Sequence, residues 1–284
     1  MQIKSFFDQD TATVTYIVSD ASTGKCAIID SLQDFDLSAG RISMTSANKV
    51  IEYIEKNNLQ VEWILETHIH ADHLTAASYL QEKLGGKLGI GSEIKKVLAY
   101  WIPVFNSADD TPDDGSQFDS LFADGEQFKI GNLNVSVIHT PGHTPDSVSY
   151  YIEDAVFVGD AIFMPYVGTG RTDFPGGGSA FLYRSVQKIL ALPDETRIFT
   201  CHDYPPAGQP AAWESTVSEQ KQKNVLIHSS VTEEEFVTTR NEKDVNRPVP
   251  KLLLPALQVN LRAGKLGAEE RNQTHYIKIP INKL

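Results

Sequence analysis

The sequence predicts an α/β fold, because short runs rich in β-branched and aromatic residues alternate with segments of helical periodicity. A second observation fixes the architecture further: four such runs end in a potential metal ligand. Val61-Glu62-Trp63-Ile64-Leu65 leads to His68-Ile69-His70-Ala71-Asp72-His73, and Leu133-Asn134-Val135-Ser136-Val137-Ile138 leads to His139-Thr140-Pro141-Gly142-His143-Thr144. Ala155-Val156-Phe157-Val158 leads to Gly159-Asp160, and Arg197-Ile198-Phe199-Thr200 leads to Cys201-His202-Asp203. Strands that aim loop residues at one point along a sheet edge build a site in this way.

Taken in order, Thr11 to Val18 alternates in polarity, Ser22-Thr23-Gly24-Lys25 turns, and Cys26 to Ile29 returns, which predicts a hairpin. Asp30 ends its second strand. Residues 46–57 read as a helix with Val50, Ile51 and Ile54 on one face. Residues 72–84 read as another, stopped by Gly85-Gly86 and opened by Asp72, whose charge suits a helix N-terminus. Residues 179–192 read as a third, closed by Pro193. Residues 106–125 are rich in Asp, Ser and Gly and read as an exposed loop, with a lid or an oligomer contact as alternatives. Residues 213–245 carry helical spacing, as in residues 213–225, and Pro248 and Pro250 then impose an extended stretch into Leu252-Leu253-Leu254-Pro255. The expected organisation is one domain over 1–284, with 213–284 as a C-terminal helical and extended addition packed on it.

Composition is that of a globular enzyme: 284 residues, 41% hydrophobic and 22% charged, enough for a sizeable core. A net charge of −12 argues against nucleic acid or an acidic membrane as partner. The two cysteines suggest no disulfide framework and fit a reducing compartment. Cys26 reads as core; alternation turns Cys201 away from the point at which His202 aims. The N-terminus has one early cation, no apolar stretch and two early acids, Asp8 and Asp10, so no signal peptide is predicted and a cytoplasmic location is expected. No apolar run approaches bilayer length.

Histidine is the commonest metal ligand and carboxylate its frequent companion, so three histidines and an aspartate within six positions predict a metal site. His68-x-His70-x-Asp72-His73, followed by His143, Asp160 and His202, resembles the metallo-β-lactamase superfamily over about residues 1–265. That resemblance implies an αββα sandwich with metal in a cleft at one edge of paired sheets. It also implies two ion positions, one on His68, His70 and His143, the other on Asp72, His73 and His202, bridged by Asp160.

Gly168-Thr169-Gly170-Arg171-Thr172-Asp173-Phe174-Pro175, with the surrounding Asp160-Ala161-Ile162-Phe163 and Cys201-His202-Asp203-Tyr204, resembles the persulfide dioxygenases within that superfamily, especially bacterial β-lactamase-like hydrolases of sulfide detoxification. Val259-Asn260-Leu261-Arg262-Ala263-Gly264 resembles the same family. The resemblance implies oxidation of the outer sulfur of glutathione persulfide to sulfite by O2 at one Fe(II) per chain. His68, His143 and Asp160 are the implied iron ligands, and His70, Asp72, His73 and His202 supporting groups or a second metal site. A homodimer is a superfamily expectation.

Pro145-Asp146-Ser147 stands where the related glyoxalase II enzymes carry Gly-His, and Thr169 where other iron dioxygenases carry cysteine. The full set of seven ligand positions leaves a dinuclear Zn(II) hydrolase of thioesters or lactones open. A metal-dependent binding protein is a third class, with no specific support in the sequence. For Arg171 two readings stand: a bidentate grip on a substrate carboxylate, or a structural pair with Asp173. Tyr204 reads as a hydrogen-bond donor to bound oxygen or sulfur, or as a packed ring. Arg247 and Arg262 are further cations, read mainly as solvated.

Overall fold

The computed structural model describes residues 1–283. The first half of the chain forms β1 (Gln2–Phe7), β2 (Val14–Ser19), β3 (Lys25–Ile29), the small hairpin β4 (Asp34–Asp36) and β5 (Arg41–Ser43), α1 (Thr45–Lys56), β6 (Gln60–Leu65), α2 (Ala77–Leu84), β7 (Lys87–Gly91), α3 (Ile94–Phe105) and β8 (Ser120–Phe122). The second half forms β9 (Gln127–Ile130), β10 (Leu133–His139), β11 (Val148–Ile152), β12 (Ala155–Phe157), α4 (Ser179–Leu190), β13 (Arg197–Phe199), β14 (Glu214–Thr216), α5 (Val217–Lys223), α6 (Glu233–Asp244) and α7 (Leu253–Asn260).

Two six-stranded sheets carry the architecture, in the orders β1-β2-β3-β6-β7-β8 and β14-β13-β12-β11-β10-β9. Period-2 alternation sorts each strand between two cores. Tyr16, Val18, Ala27, Ile29 and Leu65 face Val135, Val137, Tyr150, Phe157 and Phe199 across the middle of the sandwich. The intervening residues Ile17, Cys26, Ile28 and Ile64 face outward onto α1, α2, α3 and α7. On the far side Val156 and Ile198 meet Leu182, Val186, Val217 and Phe236 of α4, α5 and α6. The result is the four-layer αββα sandwich that the resemblance implies, and Cys26 is core as expected.

Parallel pairing positions the site. β3 runs parallel to β6 with Ile29 opposite Leu65, and β12 runs parallel to β13 with Phe157 opposite Phe199. Each parallel pair therefore ends at one level, so Asp30 lies beside the segment from Glu66, and Asp160 beside that from Cys201. Two cross-sheet bonds close this edge: Val148 N donates to Thr67 O at 2.8 Å, and Val14 N to Cys201 O at 2.7 Å.

Four expectations need correction. The helix expected from Asp72 begins at Ala77. The groups that would form its first turn are held elsewhere: Thr75 N donates to Asn260 Oδ1, Ala77 N donates to Thr75 Oγ1, and His73 O accepts from Asn260 Nδ2. Asp72 thus lies in a loop and caps no helix. Residues 213–216 are not helical; β14 pairs with β13, and Trp213 stacks on Phe7 with centroids 5.7 Å apart. The stretch after Pro250 becomes helix α7 at Leu253.

Residues 106–125 are not simply an exposed loop. Phe118 and Phe122 are buried, and β8 extends the first sheet through parallel pairing with β7. Asp110 accepts a bond from Arg262 Nη2 at 2.6 Å, so this segment is also tied to the C-terminal part of the chain. Phe122 stacks on Phe128 with centroids 4.5 Å apart. Phe122→Ala should therefore cost about 3–5 kcal/mol, the usual range for a buried phenylalanine, measured by urea unfolding; a loss within about 0.5 kcal/mol is what a surface residue would give.

Candidate metal centre

The segment after β6, from Glu66 to Ala76, is held by buried hydrogen bonds instead of by secondary structure. Asp30, at a positive φ of 52°, accepts from Thr67 N at 2.8 Å and from Thr67 Oγ1. Its other partner is His70 Nε2 at 3.0 Å. Asp146 Oδ2 takes Ile69 N at 2.8 Å. Glycine is required at 159: φ is +52°, and a Cβ there would lie 2.5 Å from Thr67 Oγ1. At Gly170 a Cβ would lie 2.1 Å from the Asp160 carbonyl oxygen.

Each of the five clustered histidines commits one ring nitrogen to the protein. The His143 Nδ1–H donates to Arg171 O at 2.8 Å, since a carbonyl only accepts. Thr67 gives its hydroxyl proton to Asp30, so its oxygen accepts from His68 Nδ1 at 3.0 Å. His202 Nδ1 faces Ala12 O at 3.3 Å, and His73 Nδ1 faces Asp72 Oδ1 at 3.4 Å. His70 does the reverse: Nε2 points to Asp30 and, at 3.4 Å, to Glu66 Oε2. The network thereby assigns tautomers that leave Nε2 of His68, His73, His143 and His202 as bare lone pairs, and it turns Nδ1 of His70 toward the same space, where a bound cation would take the place of its proton.

Those lone pairs converge. Ligand atoms of His68, His143 and Asp160 all lie within 4.8 Å of one another, and so do those of His70, Asp72, His73 and His202. His143 Nε2 is 3.4 Å from Asp160 Oδ2, and His202 Nε2 is 3.2 Å from Asp72 Oδ2 and 3.5 Å from Asp160 Oδ1. His70 Nδ1, His73 Nε2, His202 Nε2 and Asp160 Oδ1 are buried without a hydrogen-bond partner. Buried acceptors facing acceptors need a cation between them, so the donor set fits a metal.

Electrostatics agree. Burial, followed by the fields of His70 and His143, pushes His68 well below the usual imidazole value; burial and the neighbouring His70 lower His73 to about 4. Both are neutral ligands near pH 7. His70 is held well above its usual value, because the Asp30 and Glu66 carboxylates outweigh burial. Asp72 lies well below the carboxylate range; burial opposes this, and His202 and His73 prevail.

Of the donor set, Asp72, His143 and Asp160 line a cleft of about 1040 Å³, together with Arg171, Tyr204 and Arg247. Arg171 has adopted the structural pair: Nε and Nη2 each bond Asp173 at 2.6 Å, and Nη1 and Nη2 reach the carbonyls of Pro248 and Arg247. It is not a free carboxylate grip. Tyr204 is half exposed, its ring parallel to that of His202, and its hydroxyl has no hydrogen-bond partner among the described residues. Burial and the charges of Asp72 and Asp160 hold that hydroxyl protonated.

Arg262 is not solvated; it is buried and paired with Asp110. Cys201 is not turned away. β13 ends at Phe199, so alternation stops before Cys201, and its sulfur lies within 4.8 Å of ligand atoms of Asp160 and His202. Burial and the nearby Asp30 and Asp160 push the thiol well above its usual value, which makes it a poor ligand.

Residues 8–202 match the metallo-β-lactamase superfamily. The chain belongs to that superfamily. Relatives include the beta-lactamase hydrolase-like protein of Agrobacterium fabrum, 49% identical over 99% of this chain, which spans 65% of that longer protein. Glyoxylase B2 of Dictyostelium discoideum is 49% identical over 100% of this chain and 98% of its own length. Human mitochondrial persulfide dioxygenase ETHE1 is 28% identical over 92% of this chain and 88% of its own. The crystal structure of ETHE1 from Myxococcus xanthus superposes with a TM-score of 0.74 at 28% identity, covering 93% of this chain and 100% of that one. A metallo-β-lactamase fold with this donor set is that of a metalloenzyme. No helix among the described residues is long and apolar enough to cross a membrane.

Sequence reasoning missed the holders of the ligands: Thr67, Glu66, Asp146 and Asn260. The one available signal was polarity out of place, as with Asn260 inside Ala256-Leu257-Gln258-Val259-Asn260-Leu261.

The lowered values of His68 and His73 make a prediction for metal-free protein. An unfolded histidine takes up its proton near pH 6.5, whereas these two stay neutral in the fold. Between about pH 6.5 and 4 the unfolded state therefore binds more protons, and stability falls as pH falls, by up to roughly 1.4 kcal/mol per pH unit per histidine. His70, protonated in the fold, opposes this only near pH 6.5, where its unfolded form is still half protonated, and adds no slope lower in the window. The urea midpoint should drop from pH 6.5 to pH 5; an unchanged midpoint would contradict the assignment.

Proposed function

We propose that this chain is a glutathione persulfide dioxygenase with one Fe(II), acting in persulfide detoxification. The observation that carries the reading is the separate grouping of His68, His143 and Asp160, with His70 drawn aside by Asp30 and Glu66. Two histidines and one carboxylate form the facial donor set of non-haem iron oxygenases, which leaves positions for both a sulfur ligand and O2. The names of ETHE1 relatives that align over nine-tenths of the chain favour the same chemistry.

Iron would supply the site at which persulfide sulfur and O2 meet. The outer sulfur gives up four electrons to O2 and leaves as sulfite carrying both O2 oxygens and one oxygen from water; the S–S bond breaks, the glutathione sulfur leaves as the thiol, and the two remaining protons pass to solvent. The chain's own residues orient and shelter. Arg171 O and Thr67 Oγ1 fix the rings of His143 and His68. Tyr204 presents a protonated hydroxyl at the cleft, suited to donating to bound oxygen or sulfur. Arg171, held by Asp173, shapes the wall behind Asp160 through Gly170 and contributes its charge from a fixed position.

A second reading is a dinuclear Zn(II) hydrolase of thioesters, in which metal-bound hydroxide attacks the carbonyl. The grouping of His70, Asp72, His73 and His202, with three bare nitrogens, favours it, as does the name of the D. discoideum relative.

Iron-loaded protein given glutathione persulfide should consume O2 and release sulfite in roughly equal amounts. No uptake with iron verified at one per chain, together with thioester cleavage by the zinc form, would move the assignment to the hydrolase. His68→Ala, His143→Ala and Asp160→Ala should each lose iron and turnover, whereas His73→Ala retains part of both. Equal iron loss in His73→Ala would contradict a mononuclear centre.

A further inference from the structure

The superfamily match ends at residue 202, yet the loop carrying His70, Asp72 and His73 is held by a side chain from far beyond it. Asn260, on the last turn of α7, is 1% exposed. Its Nδ2 donates to His70 O and to His73 O, both at 2.8 Å, and its Oδ1 accepts from Thr75 N at 2.8 Å. Both amide protons and the carbonyl are thus used on one loop, across 185 residues or more of sequence. We infer that Asn260 is a positioning residue for the metal centre, setting the spacing and direction of the His70 and His73 rings by clamping their carbonyls.

The chemistry favours an amide over any other side chain here. Two converging carbonyls need two protons from one atom, and the amide N–H nearby needs an acceptor on the same group. Asparagine alone supplies both at this length. A carboxylate would set negative charge against two carbonyl oxygens, and alanine would leave three buried backbone groups without partners. The helix bearing Asn260 is itself fixed to the same region: Ser78 N and Oγ donate to Ala263 O, and Gln117 Nε2 to Leu261 O. Gly264 packs so closely that a Cβ there would lie 2.9 Å from Thr75 O. The C-terminal segment therefore does more than cover the sandwich; it completes the ligand loop.

The inference rests on the separate group of His70, Asp72, His73 and His202 taking an ion, as the second reading above has it, and not on which reaction the site performs. The test is titration of metal-free wild type, Asn260→Ala and Asn260→Asp with cobalt(II), read by its visible ligand-field absorption and by competition with a chelator. Gln258→Ala is the control, because Gln258 lies on the same helix but bonds Leu254 O and Lys278, away from the loop. Both Asn260 variants should bind the ion facing His70, His73 and His202 about 10- to 100-fold more weakly, the usual cost of losing a residue that orients a ligand, with an altered spectrum. Gln258→Ala should keep the wild-type spectrum and affinity even if its melting temperature falls.

Wild-type affinity and spectrum in either folded Asn260 variant would overturn the inference. So would an equal loss of folding in all three variants, which would make α7 scaffold alone. Failure of the wild type to take up cobalt would instead remove the metal centre itself.

Discussion

The site depends on one constraint: each clustered histidine gives one nitrogen to a fixed acceptor so that its other lone pair has a defined direction. Carbonyls do this for His143 and His202, a hydroxyl oxygen for His68, and carboxylates for His70 and His73. The acceptors are rigid because they sit at strand ends or within bonded loops. Remove that outer layer and the rings rotate, the buried nitrogens seek water, and the converging acceptors lose the geometry that calls for a cation.

The parallel strand pairs explain why such different stretches of sequence meet. β3 with β6, and β12 with β13, end at one edge, and the two-sheet sandwich brings those edges together. The middle core of Tyr16, Tyr150, Phe157 and Phe199 fixes the distance between the sheets. Tyr16 and Tyr150 also send their hydroxyls to Thr200 O and Glu66 O, pinning the two backbones from which His202 and His68 emerge. Packing and ligand geometry are therefore one problem in this molecule.

Much of this was legible in the sequence because it is local. Strand-then-ligand patterns located His68, His143, Asp160 and His202, and the strand-like run with Ala27-Ile28-Ile29 assigned Cys26 to the core. What was not legible depends on long-range partners. The helix after Asp72 starts late because Asn260 and Thr75 take up the polar backbone groups of its first turn, and no spacing near Asp72 encodes the part played by Asn260. Cys201 turns inward because β13 stops two residues earlier. Arg171 resolves to its pair with Asp173, which the sequence had left beside a substrate contact, since only the fold shows the carbonyls of Arg247 and Pro248 taking the remaining donors.

The Asn260 clamp also bears on the order of events during synthesis. Asn260 follows His73 by 187 residues, so the ribosome makes the ligand loop well ahead of its clamp. An ion captured in that interval meets flexible histidines that select by affinity alone, which favours the tightest-binding divalent ions. Selection by shape begins only once α7 has docked.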